Sequence, residues 1–412
     1  MQSPPQIAAP TDEDREFAAF DDAVAGDARD PYPELNQARR DTPVQQIDMS
    51  GMPHEEGQEV FFVYRYDDVV KVLRDGETFS SAQIIELIMG DIMGEHIMLG
   101  MDNPEHGRYR ALVSMAFRQK ALARWETELV ERTANDLIDK FASRGSADLV
   151  PEFTFPYPTK IIAGLLGLPA EDYRQFQRWS VAILNFHTKR EQAIEASREV
   201  QAYLVDVLAD RRAHPREDII SDLAHAELDG ERLSDAEIFS FVRLLLPAGV
   251  ETTYRSTGNL LFSLLSRPEQ LAALRADRDL VPQAIEEALR YETPLLNITR
   301  MATKDTEIGG VRIPKGSTLL LMLASANRDD ERYAEPDTFD IRRVDPKPHI
   351  SWGSGPHVCI GMHLARLEMR TALNLLLDRL PNLRLDPDAD DPHIRGQVFR
   401  SPTSLPVLFG EG

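Results

Sequence analysis

Cysteine is nearly absent from this chain of 412 residues: a single thiol, Cys359, stands alone. One thiol cannot form an intramolecular disulfide, and it excludes zinc or iron–sulfur sites built from several thiolates. Long apolar runs are also missing. No stretch approaches ~18 consecutive apolar residues, so no membrane span is expected. The start, MQSPPQIAAPTDEDREFAAFDD, has neither the basic opening nor the apolar run of a secretory signal. Cytoplasmic residence is the expectation, in keeping with a reduced thiol. A basic excess is lacking too: 46 Lys and Arg face 68 Asp and Glu, a formal net charge of -22. With no basic stripe either, a nucleic-acid partner is not expected.

The remaining composition is that of an ordinary globular protein. Hydrophobic residues make up 42% of the chain, enough for a sizeable core, and charged residues 28%. Length alone would suggest two or three domains. No repeat or low-complexity linker divides the chain, however, so one domain over 16–412 is expected after a loose segment over 1–15. The stretch 59–75, EVFFVYRYDDVVKVLRD, reads as a strand followed by a helix. From about 104 to 290 the pattern is mainly helical, including a run over 121–145 that ends on Gly145. Another long run opens at Ser234, with Glu237 three residues on as a capping box, and continues to Pro268. Its middle is almost wholly apolar, so it should cross the interior. Turn signals flank strand-like pieces over 306–323, and QVFRSPTSLPVLF looks like a C-terminal hairpin. The fold class is mainly α with small β-sheets and a long central helix.

The lone cysteine has three readings: a buried small residue, a nucleophile or a metal ligand. It sits in SWGSGPHVCIGMHLARLEMR, among Gly353, Gly355 and Gly361. Glycine permits positive φ and close backbone approach. Apolar residues then recur at helical spacing, so the thiol precedes a helix whose N-terminus and free amides favour a thiolate. The stretch W-G-S-G-P-H-V-C-I-G resembles the haem-binding loop of the cytochrome P450 family, F-G-x-G-x-H-x-C-x-G. The departure is Trp352 in place of phenylalanine, another flat aromatic, with an added N–H donor. The resemblance implies a bacterial-type soluble haem-thiolate monooxygenase that holds haem b, with Cys359 as the iron ligand. A thiolate ligand pushes electron density onto iron and favours O–O cleavage.

Three further segments support the resemblance. Glu287 and Arg290, in EEALRYETP, match the family's E-x-x-R pair, which shares a helix face and has a structural role. Ala248-Gly249-Val250-Glu251-Thr252-Thr253 resembles the pattern A-G-x-D/E-T-T of the oxygen-binding helix. The match implies that Ala248 and Gly249 let the helix pass close over the haem, that Thr252 bonds the oxygen, and that Glu251 relays protons. Pro247 is unusual there, because a proline inside a helix removes an N–H and kinks the axis. In MDNPEHGRYRALVSMAF, His106 and Arg110 lie four apart on one helix face. Together with Arg300 and His357 they match the family's ligands for the haem carboxylates, whose burial demands cationic partners.

The resemblance implies O₂ and an apolar small molecule as substrates. By position, the pocket should draw on Ile84, Ile88, Met89, Leu184, Leu245, Ala248, Leu295, Leu296, Asn297, Ile298 and Phe399. Asn297 or Gln83 could anchor one polar group. Terpenoids, steroids, fatty acids and aromatics all fit such walls. A separate ferredoxin and its reductase would supply electrons to a monomer. Arg342, Arg343, Lys347 and Arg366 are candidates for a docking patch near the cysteine, or are scattered surface charge. Alternatives are a peroxide-using peroxygenase of the same fold, a non-catalytic haem sensor, and a cysteine nucleophile with His357 or His363 as base. The acid–alcohol pair Glu251-Thr252 speaks against the first two.

Overall fold

The computed structural model describes residues 28–47, 59–117, 119–184, 186, 189–343 and 348–410, apart from the side chains of 83, 84, 86–88, 119 and 170. The loose segment expected over 1–15, Lys347, and the side chains of Gln83, Ile84 and Ile88 lie outside the described residues.

Helices dominate. In chain order, the principal ones are α1 (Tyr32–Asp41), α2 (Tyr66–Arg74), α3 (Ala82–Met93), α4 (Glu105–Ser114), α5 (Pro156–Leu165), α6 (Tyr173–Leu184), α7 (Arg190–Ala213), α8 (Asp235–Leu265), α9 (Val281–Tyr291) and α10 (Met362–Arg379). The main sheet has five strands: β1 (Val44–Ile47), β2 (Val60–Val63), β3 (Phe79–Ser80), β4 (Ile298–Ala302) and β5 (Thr318–Leu321). Their order is β1-β2-β5-β4-β3. Only the β2–β5 pair is parallel, with Val60 opposite Thr318.

The 31 residues of α8 form the axis of the molecule. Ser234 caps its N-terminus through the Glu237 amide, and the Glu237 carboxylate returns to the Ser234 amide. This is the reciprocal capping box that the sequence predicts. Nearly every residue of α8 from Glu237 onward is buried. A helix apolar on all sides gains stability only inside the core, and α5, α6, α9 and α10 all pack against it. Pro247 lies within the helix, where its ring nitrogen cannot donate.

Two local expectations change. The run 121–145 is not one helix: a 3₁₀ turn and a π turn precede a short α-helix over Arg132–Ile138. The chain does turn at Gly145, where φ is +78°. The C-terminal hairpin is also displaced. Ile394 and Arg395 pair with Pro402 and Ser401, whereas Pro406–Leu408 pairs with Arg384–Leu385 and Ser146–Asp148. Gly396 sets this turn: its φ is +126°, and a Cβ there would lie 1.9 Å from the Phe399 carbonyl oxygen.

Candidate haem-thiolate site

Cys359 ends a tight loop just before α10. Its amide donates to the Trp352 carbonyl at 2.8 Å, and the Gly353 amide donates to Ile350 at 2.9 Å. Gly353 and Gly355 take φ of +73° and +70°. At Gly355 a Cβ would stand 2.6 Å from the Leu73 carbonyl oxygen. The glycine therefore lets the loop press on the backbone of α2, a contact with protein rather than ligand. Gly355→Ala should cost about 1–3 kcal/mol and loosen the loop, seen as a lower melting temperature and faster haem loss. Gly361 has ordinary φ and caps α10, and a Cβ there would lie 3.9 Å from Cys359 Sγ.

Two opposing effects act on the thiol. Burial raises its pKa, while the amides of Gly361 and Met362 and the charges of Arg110 and Arg366 lower it. Burial is the larger effect. Burial thus disfavours the charged thiolate, and a bound metal cation would favour it.

The two arginines and two histidines named from the sequence come together. His106 on α4 stacks on His357 at 3.9 Å between ring centroids. Arg110, one turn along α4, donates to the Val358 carbonyl. Arg300 is buried on β4 and, among the described residues, donates only to the carbonyl of its neighbour Thr299. Burial lowers its pKa to about 10, opposed by Asp102. His357 is lowered to about 3, first by burial, then by His106, Arg300 and Arg110. His106 Nε2 is buried without a hydrogen-bond partner. Four crowded cationic or potentially cationic groups beside one acid, Asp102, form a receptor for anions. They suit the two carboxylates of a haem, and the single thiol suits its iron. The residues present thus fit the group.

Trp352 is partly buried against the core, with the Arg366 guanidinium 4.9 Å from its ring centroid. Its Nε1 is buried without a partner. Arg366 is held by Glu286 through Nε at 2.7 Å and Nη2 at 2.8 Å. Arg343 is likewise engaged, with Nε 3.1 Å from Glu287. Neither is an open cation for docking, and of the expected patch only Arg342 is described as exposed. Arg343 is instead the third member of the Glu287–Arg290 pair. The sequence did not reveal this, because the two segments lie more than 50 residues apart.

On α8, Ala248 is exposed and Thr252 half-exposed within an otherwise buried helix. They lie four apart and so share a face. Thr252 Oγ1 donates to the Ala248 carbonyl at 3.1 Å. Gly249 points elsewhere: a Cβ there would lie 2.7 Å from Ile162 Cδ1. Its small size lets α8 lie close to Ile162 on α5. Glu251 is buried and bonded to Arg255 at 2.6 Å.

The expected pocket wall divides. Leu295, Asn297 and Phe399 are half-buried, and Leu295 bridges Phe399 across two chain segments. Leu184 and Met89 are half-buried against the main core, and Leu245 is fully buried. Leu296 is turned the other way, packed with Tyr32 and Ala324. Ile298 packs against the cluster beneath the sheet. Alternation along an extended chain forces this split.

Comparison with known proteins agrees with the geometry. Residues 159–406 match the family model described as cytochrome P450. The chain is 38% identical to cytochrome P450 107B1 of Saccharopolyspora erythraea, over 97% of this chain and 99% of that protein. It is 37% identical to the cytochrome P450 monooxygenase PikC of Streptomyces venezuelae, over 93% and 92%. Among solved structures, CYP109E1 from Bacillus megaterium in complex with testosterone superimposes with a TM-score of 0.83 at 31% identity. That match covers 93% of this chain and all of the other.

Proposed function

The chain belongs to the cytochrome P450 family of monooxygenases, and from that premise we propose that it hydroxylates a small apolar molecule of steroid or terpenoid size. The observation that carries the reading is the buried group His106, Arg110, Arg300 and His357 beside the lone thiol, with His106 Nε2 lacking a partner. In this reading the four side chains hold the two carboxylates of haem b, and Cys359 ligates its iron. Bound haem supplies the redox chemistry, by which the substrate, O₂, two electrons and two protons yield one hydroxylated product and one water. Among the described residues no helix is long and apolar enough to cross a membrane.

The protein's own contribution is orientation, dryness and proton placement. Leu295, Phe399, Leu184, Met89 and the Ala248 methyl offer an apolar wall, while Asn297 offers one amide. A substrate seated there displaces water from the Thr252 face. Thr252 Oγ can release the Ala248 carbonyl and present its proton to the reacting oxygen. The electrons come from a separate donor, for which a ferredoxin and its reductase are the proposal. The testosterone and corticosterone complexes of CYP109E1 make steroids the first compounds to try.

The test is an absorption spectrum of the purified protein, reduced and carbon-monoxide bound, followed by titration with steroids, terpenoids and fatty acids. A strongly red-shifted Soret band confirms haem-thiolate ligation, and a ferric high-spin shift names the substrate class. A Soret band typical of histidine or neutral-thiol ligation refutes the reading. Thr252→Ala should lower product formed per electron pair by about tenfold or more, with peroxide or water made instead. Retained coupling would transfer the role to a neighbour such as Thr253.

A further inference from the structure

Arg255 was not singled out by any motif, yet it is fully buried on α8, one turn beyond Glu251. Its Nε and Nη2 each lie 2.6 Å from Glu251 Oε1. Its remaining terminal nitrogen, Nη1, donates to Ser401 Oγ at 2.8 Å. The guanidinium plane also stands over two rings, Tyr254 at 4.9 Å and Phe399 at 5.6 Å. One side chain thus touches the acid beside Thr252, a strand residue of the 394–402 hairpin, and the aromatic residue at the hairpin's tip. Ser401 is fixed in that hairpin by pairing with Arg395.

The next turn of α8 continues the contact. A Cβ on Gly258 would meet Pro402 at 3.4 Å, and Asn259 Nδ2 donates to the Arg400 carbonyl at 3.0 Å. The hairpin therefore lies along α8, and Arg255 is its charged clasp. Only a planar, forked donor can bond a carboxylate on one side and a hydroxyl on the other while stacking on aromatics. A carboxylate this deeply buried keeps its charge only beside such a cation.

We infer that Arg255 is a positioning residue that holds Glu251 as a carboxylate and ties it to the hairpin carrying Phe399. The acid beside Thr252 and one wall of the substrate pocket then form a single unit. The inference rests on the monooxygenase reading for its consequence, but its two physical claims can be measured without turnover.

The experiment uses the full-length, haem-loaded protein. Arg255→Met keeps bulk and removes every donor. Infrared difference spectra against the double variant Arg255→Met, Glu251→Gln report whether residue 251 is protonated. A carboxylic-acid C=O band is expected in the single variant, lost in the double and absent from the parent protein. Titration of the ferric Soret band with 4-phenylimidazole reports the pocket wall, and binding should weaken about tenfold as the charged hydrogen bond to the hairpin is lost. Ser401→Ala should weaken it without producing the acid band. A folded Arg255→Met protein with no acid band, or with unchanged titration, overturns the inference. If that variant does not take up haem, Arg255→Lys replaces it. Its ammonium can neutralise Glu251 but cannot also reach Ser401, so weaker titration without an acid band is expected, and titration equal to the parent's overturns the tie. Failure of the monooxygenase reading would register separately, as a missing thiolate-type band in the parent protein, and leaves the infrared result interpretable.

Discussion

Replacing Cys359 with serine should abolish the red-shifted carbon-monoxide band while leaving most of the fold in place. Cys359 is the only thiol in the chain, so no other cysteine can take over. An alcohol at that position is far less acidic, and the same burial that raises the thiol's pKa would keep the alcohol protonated. The two backbone amides of Gly361 and Met362 would still point at the side chain, but they cannot ionise an alcohol against that desolvation. Haem, if retained by His106, Arg110, Arg300 and His357, would then lack a thiolate. The measurement is the Soret position of the reduced, carbon-monoxide-bound variant alongside its circular dichroism. An unchanged spectrum would refute Cys359 as ligand.

Glu287→Gln should give the largest loss of stability. The Glu287 carboxylate accepts from Arg290 Nε and Nη2 at 2.8 Å each, from Arg343 Nε at 3.1 Å, and from the Asp340 amide at 2.9 Å. The two guanidinium groups also bond the carbonyls of Asn327, Pro336, Thr338, Ala334 and Glu335. This network fastens α9 to the long segment that leads into the cysteine loop. Neutralising its only acid leaves two nearly buried cations uncompensated, at a cost of about 3–5 kcal/mol. That is a large share of a typical total stability of roughly 5–15 kcal/mol. The expected result is a much lower denaturant midpoint and poor haem retention. A midpoint close to the parent's would show that the arginines find other partners. Glu286→Gln is the control: its partner Arg366 is about a third exposed, so water can compensate, and the loss should be small.

Much of the site was legible in the sequence because its pieces are local. A glycine loop around one cysteine, a capping box, and residue pairs at i, i+3 or i+4 are all fixed by backbone geometry over one or two turns. The family resemblance then set these pieces in order. Direction was harder to read. Gly249 belongs to the oxygen-binding pattern, yet its bare face meets Ile162 on another helix. Leu296 sits in an apolar run, yet extended backbone turns it toward Tyr32 while Leu295 turns toward Phe399. Helix and strand periodicity give relative directions within a segment, but which direction faces the site depends on what packs against it.

Residue chemistry and local spacing determined a thiol at a helix start and an acid next to an alcohol on an apolar helix, and the family resemblance added four residues suited to carboxylates. Only the tertiary structure decided the partners of the charges. Arg343 and Arg366, available for docking as far as sequence can say, are consumed by Glu287 and Glu286. Arg255, unremarked in sequence, closes on Glu251 and Ser401. A buried charge must find its counter-charge in space, and nothing in the order of residues along a chain specifies how far away that partner lies.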